Sequence, residues 1–216
     1  MKIGIIFDLD GTLLDTLDDL HNATNYALAQ YGCPPRSREE VRQFVGNGVD
    51  RLIHLALPGN DTDPDPNDVI ATYRAYYNTH CKEKTGPYPG IPEALATLAE
   101  EYPLAVVSNK PDSAVKPLCQ EHFGTIFALG ERRDSPRKPA PNMVWRAMAA
   151  IGVEKCVYVG DSEVDVLTAK NAGVPCLSVT WGFRDKDVLR DAGAKYYCDN
   201  PKELPNAIRA IVAEAF

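Results

Sequence analysis

Short apolar runs constrain the fold of this 216-residue chain more than any other feature of it. They are Ile3–Phe7, Leu104–Val107, Cys156–Val159, Pro175–Val179 and Lys195–Cys198. Each is too short for a helix and is bounded by turn-forming residues, as in parallel strands buried on both faces. Between them the apolar spacing becomes helical, over 91–101, 111–122, 140–150, 162–172 and 201–214. Strands alternating with helices predict βαβ units, and hence a doubly wound, Rossmann-like parallel α/β sheet. The stretch 15–86 breaks the alternation. It carries helical patterns at 16–31, 37–45, 49–57 and 67–81 and no strand, with loops at Gly32–Pro35 and Asp61–Pro66. The expected organisation is therefore an α/β core of residues 1–14 and 87–216, with residues 15–86 inserted as a small α-helical domain. The hinges are expected near Leu14–Asp15 and Lys82–Tyr88.

Composition narrows the possible partners. A net charge of −7 argues against bulk attraction to nucleic acid or an anionic membrane. No stretch approaches the ~20 apolar residues of a membrane span, and Asp8 and Asp10 interrupt the N-terminal apolar run, unlike a signal peptide. The six cysteines are scattered without a CxxC pair. They read as reduced thiols of a cytoplasmic protein, with Cys156 and Cys176 in the core. A monomer or homodimer is expected.

Ligands of an open α/β sheet bind beyond the carboxyl ends of the strands. The first strand delivers Asp8-Leu9-Asp10-Gly11-Thr12, the second Ser108-Asn109-Lys110, and the Val157–Val159 strand Gly160-Asp161-Ser162-Glu163-Val164-Asp165. Lys138 lies on a loop that could reach the same place. In extended backbone, Asp8 and Asp10 point the same way. Four acids (Asp8, Asp10, Asp161, Asp165) against one lysine would repel one another unless a cation joined them. The donors are all oxygen, which favours Mg²⁺ over Zn²⁺. Gly11 would let backbone approach a phosphate closely. Thr12 reads either as an orienter of Asp10 or as a turn residue.

FDLDGTLLDT, VVSNKP, RKPAP and GDSEVD together resemble the four motifs of the haloacid dehalogenase superfamily phosphatases with a helical cap, and the likeness spans the chain. The resemblance implies Asp8 as nucleophile and metal ligand, and Asp10 as general acid and base with its backbone carbonyl on the metal. It implies Ser108 and Asn109 on the transferring phosphoryl group, Lys138 bridging nucleophile and phosphate, and Asp161 and Asp165 at the Mg²⁺. VGNGVDRLI, SNKPDSAVKPL and GDSEVDVLTAKNAG are similar to the phosphoglycolate phosphatase branch. A small phosphorylated metabolite such as 2-phosphoglycolate is the implied substrate, with Asn47, the Gly46–Gly48 turn and Arg51 reading it from the helical domain.

Pyrophosphatase activity, or β-phosphoglucomutase-like transfer using His21, would use nearly the same core. A non-catalytic binding or regulatory module is the alternative of another class, and the presence of Asp8, Asp10, Lys138 and Asp161 weighs against it. Trp145 reads as core. Trp181-Gly182-Phe183 reads as a packed loop more than as an edge of the site.

Overall fold

The computed structural model describes residues 2–132 and 135–216. Strand β1 (Ile3–Phe7) leads through the two-residue β2 (Leu14–Asp15) into four helices: α1 (Leu17–Gln30), α2 (Arg38–Phe44), α3 (Gly48–Ala56) and α4 (Pro66–His80). The two-residue β3 (Gly86–Pro87) pairs with β2 in a ribbon of their own. Then come α5 (Ile91–Ala99), β4 (Leu104–Pro111), α6 (Asp112–Phe123), β5 (Phe127–Glu131), α7 (Asn142–Ile151), β6 (Lys155–Gly160) and α8 (Glu163–Ala172). The chain ends with β7 (Cys176–Val179), α9 (Lys186–Asp191), β8 (Tyr196–Cys198), a 3₁₀ turn at Pro201–Glu203 and α10 (Leu204–Ala215). It divides into two compact units, Met1–Leu14 with Pro87–Phe216, and Asp15–Gly86. Among the described residues no helix is long and apolar enough to cross a membrane.

The first unit is built on a six-stranded sheet of order β5-β4-β1-β6-β7-β8 in which every pairing is parallel. Alternate side chains feed two cores. On one face Ile5, Phe7, Val106, Val157, Val159 and Leu177 meet α5, α6 and α10. On the other, Ile6, Ala105, Val107, Cys156 and Tyr158 meet α7 and α8. This double burial is why the strands read as continuous apolar runs and not as alternating ones. The chain leaves β1 toward β4 and β5, then returns to β6 on β1's other side. The switch point therefore lies at the carboxyl end of β1, flanked by the ends of β4 and β6.

The structure departs from the sequence reading in places. β4 continues past Val107 to Pro111, with its register shifted between those residues, so Ser108, Asn109 and Lys110 sit on a bulged strand end. β5 and α9 were not read as elements, although β5 overlaps the apolar run Ile126–Leu129. Trp145 is 51% exposed, with its indole N–H on the Ala172 carbonyl, so the helical spacing put it on the wrong face of α7.

The second unit is held by polar devices at its helix ends. Ser37 and Glu40 form a reciprocal capping box on α2. Asp65 caps α4, with Pro66 in its first turn. The Arg36 guanidinium donates to the carbonyls of Ala56 and Leu57 at the end of α3, where the helix dipole favours a cation. His21, the residue a mutase would need, bonds the Arg36 carbonyl and Asn25. Asp19, 3% exposed, receives the Lys84 and Thr85 backbone N–H groups and the Thr85 hydroxyl at 2.8–3.1 Å. One carboxylate thus fastens the returning chain to the first turn of α1. Replacing Asp19 by Ala strands those donors and should lower stability by about 2 kcal/mol, measured by urea unfolding. A change below about 0.5 kcal/mol, the usual size for an unremarkable surface position, would mean the clamp holds nothing.

Candidate active site

β1 ends at Phe7, and the chain bends at Leu9 before a turn over Gly11–Leu13. Asp8 and Asp10 are therefore not two residues of one extended strand, and their carboxylates meet different lysines. Asp8 Oδ1 receives the Leu9 N–H at 2.7 Å and lies 2.8 Å from Lys138 Nζ. Its Oδ2 accepts no hydrogen bond from any described residue. Asp10 engages a different lysine: both its oxygens meet Lys110 Nζ, at 2.9 and 3.2 Å.

Carboxylate oxygens of Asp8, Asp161 and Asp165 lie within 4.8 Å of one another, and all three residues are buried. The Asp10 carboxylate is outside this group, which leaves its backbone carbonyl as the part expected at a metal. Asp161 is held rigidly. Its two oxygens accept from the Thr12 hydroxyl at 3.0 Å and the Phe183 N–H at 2.7 Å. A side chain on Gly11, whose φ is +81°, or on Gly182 would collide with Asp161. Gly11 thus makes room for this carboxylate, Thr12 orients Asp161 and not Asp10, and the Trp181–Phe183 loop borders the site after all. Trp181 pins that loop by donating to the Thr12 carbonyl at 3.0 Å.

Asp165 opens α8 and is fully occupied. Oδ2 accepts from the Ser162 N–H and hydroxyl, and Oδ1 from Lys138 Nζ at 2.8 Å and the Tyr158 hydroxyl at 3.0 Å. These four bonds fill the roughly four acceptor positions of a carboxylate, so Asp165 is better placed to seat Lys138 than to coordinate a cation directly. Gly160 makes the approach possible, since a Cβ there would strike the Asp165 side chain.

Lys138 is 2% exposed and reaches Asp8, Asp165 and, at 3.2 Å, the Tyr158 hydroxyl. Its backbone is seated by Asn109, whose side-chain oxygen accepts from Lys138 N–H at 2.8 Å while its amide donates to the Lys138 carbonyl at 3.0 Å. Asn109, expected on a phosphoryl group, thus has the positioning of Lys138 as its visible task. Ser108 accepts the Lys110 N–H at 3.1 Å, and its hydroxyl proton is committed to no described residue.

The electrostatics follow from burial. Burial raises the Asp8 carboxyl well above the usual range, the charges of Asp165 and Asp161 add to this, and Lys138 opposes them. Burial and then Asp165 push Asp161 up to about 7, against the pull of Phe183, Thr12 and Arg184. Burial disfavours the Lys138 charge, yet Asp165 and Asp8 outweigh it and hold the ammonium firmly protonated. Three clustered carboxylates with one ammonium among them, and only oxygen donors facing inward, suit a hard divalent cation.

Sequence reasoning passed over Tyr158, Lys110 and the Phe183 amide. Tyr158 had a readable signal, because a tyrosine within a strand buried on both faces needs a partner for its hydroxyl. In the second unit Gly46 and Gly48 have φ of +111° and +82° around Asn47, which precedes α3. Arg51 is exposed on α3.

The fold and these motifs place the chain in a known family. Residues 5–179 match the model of the haloacid dehalogenase-like hydrolases, and the chain belongs to that family. It is 35% identical to a phosphoglycolate phosphatase of Cereibacter sphaeroides over 97% of this chain and 99% of the relative. It is 34% identical to phosphoglycolate phosphatase 1 of Pseudomonas aeruginosa, over 93% of this chain and 77% of that one. Among solved structures, a Lactobacillus delbrueckii subsp. bulgaricus protein provisionally assigned as a phosphoglycolate phosphatase superposes with a TM-score of 0.87 at 38% identity, covering 95% and 97% of the two chains. The Rhodobacter sphaeroides protein CbbY, in complex with phosphate, superposes with a TM-score of 0.78 at 26% identity, covering 97% and 100%.

The Asn109 clamp can be tested directly. Asn109→Ala removes the acceptor of the Lys138 N–H, so hydrogen exchange at the Lys138 amide should accelerate at least tenfold, a loss of about 1.4 kcal/mol of protection. Unchanged exchange would show that the clamp does not hold the segment.

Proposed function

We propose that this chain is a Mg²⁺-dependent phosphomonoester hydrolase that works through an aspartyl-phosphate on Asp8, with a small phosphorylated metabolite such as 2-phosphoglycolate as substrate. The observation that carries the reading is the buried Asp8–Lys138–Asp165 cluster with Asp161 beside it, at the switch point of the sheet. The relatives' activity supports the choice of ester.

Asp8 Oδ2 attacks phosphorus, the ester P–O bond breaks, and Asp10 gives its proton to the departing oxygen. A water that yields a proton to Asp10 then attacks the aspartyl-phosphate, regenerating the Asp8 carboxylate and releasing phosphate. Lys138 neutralises Asp8 and the incoming anion, and the Ser108 hydroxyl donates to a phosphoryl oxygen. Asp8, Asp161 and the Asp10 carbonyl would hold Mg²⁺, with Asp165 behind them. Bound there, the cation supplies charge stabilisation to the transferring phosphoryl group. In this reading residues 15–86 form a helical cap, and Asn47 and Arg51 select the part of the substrate that is not transferred.

Phosphate release should be measured over a panel of 2-phosphoglycolate, pyrophosphate and hexose phosphates, with and without Mg²⁺. Asp8→Asn should reduce turnover by at least about 10³-fold, since it removes the attacking group; near-normal turnover would sink the covalent scheme. Arg51→Ala should change the ranking of substrates more than it changes the best turnover.

A second test needs no substrate. The carboxyl of Asp161 is raised, so without metal its contribution to stability is full below about pH 4 and is lost as pH rises through about 7. A cation must displace that proton below about pH 7 and need not above it. The rise in melting temperature produced by Mg²⁺ should therefore be larger at pH 8 than at pH 6, and the apparent affinity should fall by at least about tenfold per pH unit below 7, the raised Asp8 carboxyl steepening the fall. Equal shifts at both pH values would take Asp161 out of the cation site.

A further inference from the structure

The two acids of the Asp8-Leu9-Asp10 stretch are each held by a lysine, and the lysines come from different parts of the core. Lys138, with Asp8, stands beside Tyr158, which belongs to the α7–α8 face of the sheet. Lys110, which holds Asp10, lies at the end of β4. The Lys110 side chain is 2% exposed. Burying an ammonium carries a large desolvation cost, which only a well-placed counter-charge offsets. Asp10 supplies a counter-charge here, both of its oxygens meeting Lys110 Nζ. The β4 bulge aims the lysine, since the strand shifts register between Val107 and Pro111 and Ser108 Oγ takes the Lys110 N–H.

We propose that Lys110 is the positioning residue of Asp10: it fixes that carboxylate at the edge of the Asp8–Asp161–Asp165 group, ready to pass a proton to the leaving oxygen. This rests on the reading of Asp10 as the proton carrier. An acid two residues from Asp8 would otherwise be drawn toward any cation that the cluster holds, and its carboxylate would be lost to proton transfer. Lys110 supplies a competing cation of fixed position. Asp10 takes a proton from solvent, gives it to the departing oxygen, recovers one from the attacking water and returns it to solvent, so that its carboxylate is again the partner of Lys110.

The readout that separates positioning from mere structural support is dependence on the leaving group. An alkoxide needs a proton as it departs, whereas p-nitrophenolate hardly does. Wild type, Lys110→Met, Lys110→Gln and Asp10→Asn would be compared on p-nitrophenyl phosphate and on the best alkyl phosphomonoester of the panel above, with Mg²⁺ saturating. Positioning of a general acid predicts that both Lys110 variants lose about 30-fold in kcat on the alkyl ester and about 3-fold on the aryl ester, with KM nearly unchanged. Equal losses on the two esters, or no loss on the alkyl ester, would overturn the assignment of Lys110. If Asp10→Asn discriminates between the esters and the Lys110 variants do not, Asp10 carries the proton without help from Lys110 and the proposal alone falls. If Asp10→Asn itself loses both activities equally, the reading of Asp10 falls and the proposal with it. Glutamine keeps polarity and methionine keeps shape, so the test survives poor folding of either variant.

Discussion

The Lys138 ammonium is the interaction on which the rest of the site depends. Its three neighbours come from separate pieces of chain: Asp8 from the end of β1, Tyr158 from the middle of β6, and Asp165 from the first turn of α8. A charge this deep is tolerated only because all of them converge on it. Removing one partner of such a buried pair typically costs about 3–5 kcal/mol, since the remaining charge is left uncompensated. The same convergence aligns the group, because Asp165 cannot shift without releasing Lys138, and Lys138 cannot shift without releasing Asp8. Asn109 adds the backbone to this arrangement by gripping the N–H and carbonyl of Lys138.

Asp161 depends on shape where Lys138 depends on charge. It lies between Gly11 and Gly182, and its oxygens are fixed by Thr12 and by a backbone amide. A carboxylate held this way keeps its geometry even while repelled by its neighbours, which is what preorganisation for a cation requires. The loop after β7 thereby belongs to the site through its main chain. That explains why its side chains, Trp181 and Phe183, advertised packing and not chemistry.

The parallel sheet was legible because strands buried on both faces leave unbroken apolar runs, and β1 matches its run residue for residue. The acids were legible because they follow those runs directly. Two short elements escaped notice. β5 follows closely on α6 with only Ile126–Leu129 as its apolar run, and α9 buries only Leu189. What sequence could not reveal was direction. Asp8 and Asp10 were read as parallel because the strand was assumed to continue, and the bend at Leu9 sends them to different lysines. Lys110 was delivered with Ser108 and Asn109 but given no role, because its reach to Asp10 follows a register shift in β4 that leaves no mark in composition.

Placing a contiguous helical unit between β1 and the rest of its sheet has a consequence for biosynthesis. β1 is a central strand, paired on one side with β4 and on the other with β6. The ribosome makes it before either partner, since the earlier one begins at Leu104 and the later at Lys155. At ordinary elongation rates about 5–20 s separate β1 from β4. During that interval Asp15–Gly86 has all of its own sequence and can form its helices, while Ile3–Phe7 waits with both faces and both edges unsatisfied. The nascent chain therefore passes through a stage in which an apolar strand without its partners is tethered to a helical segment whose sequence is complete, and this is the stage at which a chaperone would find something to hold.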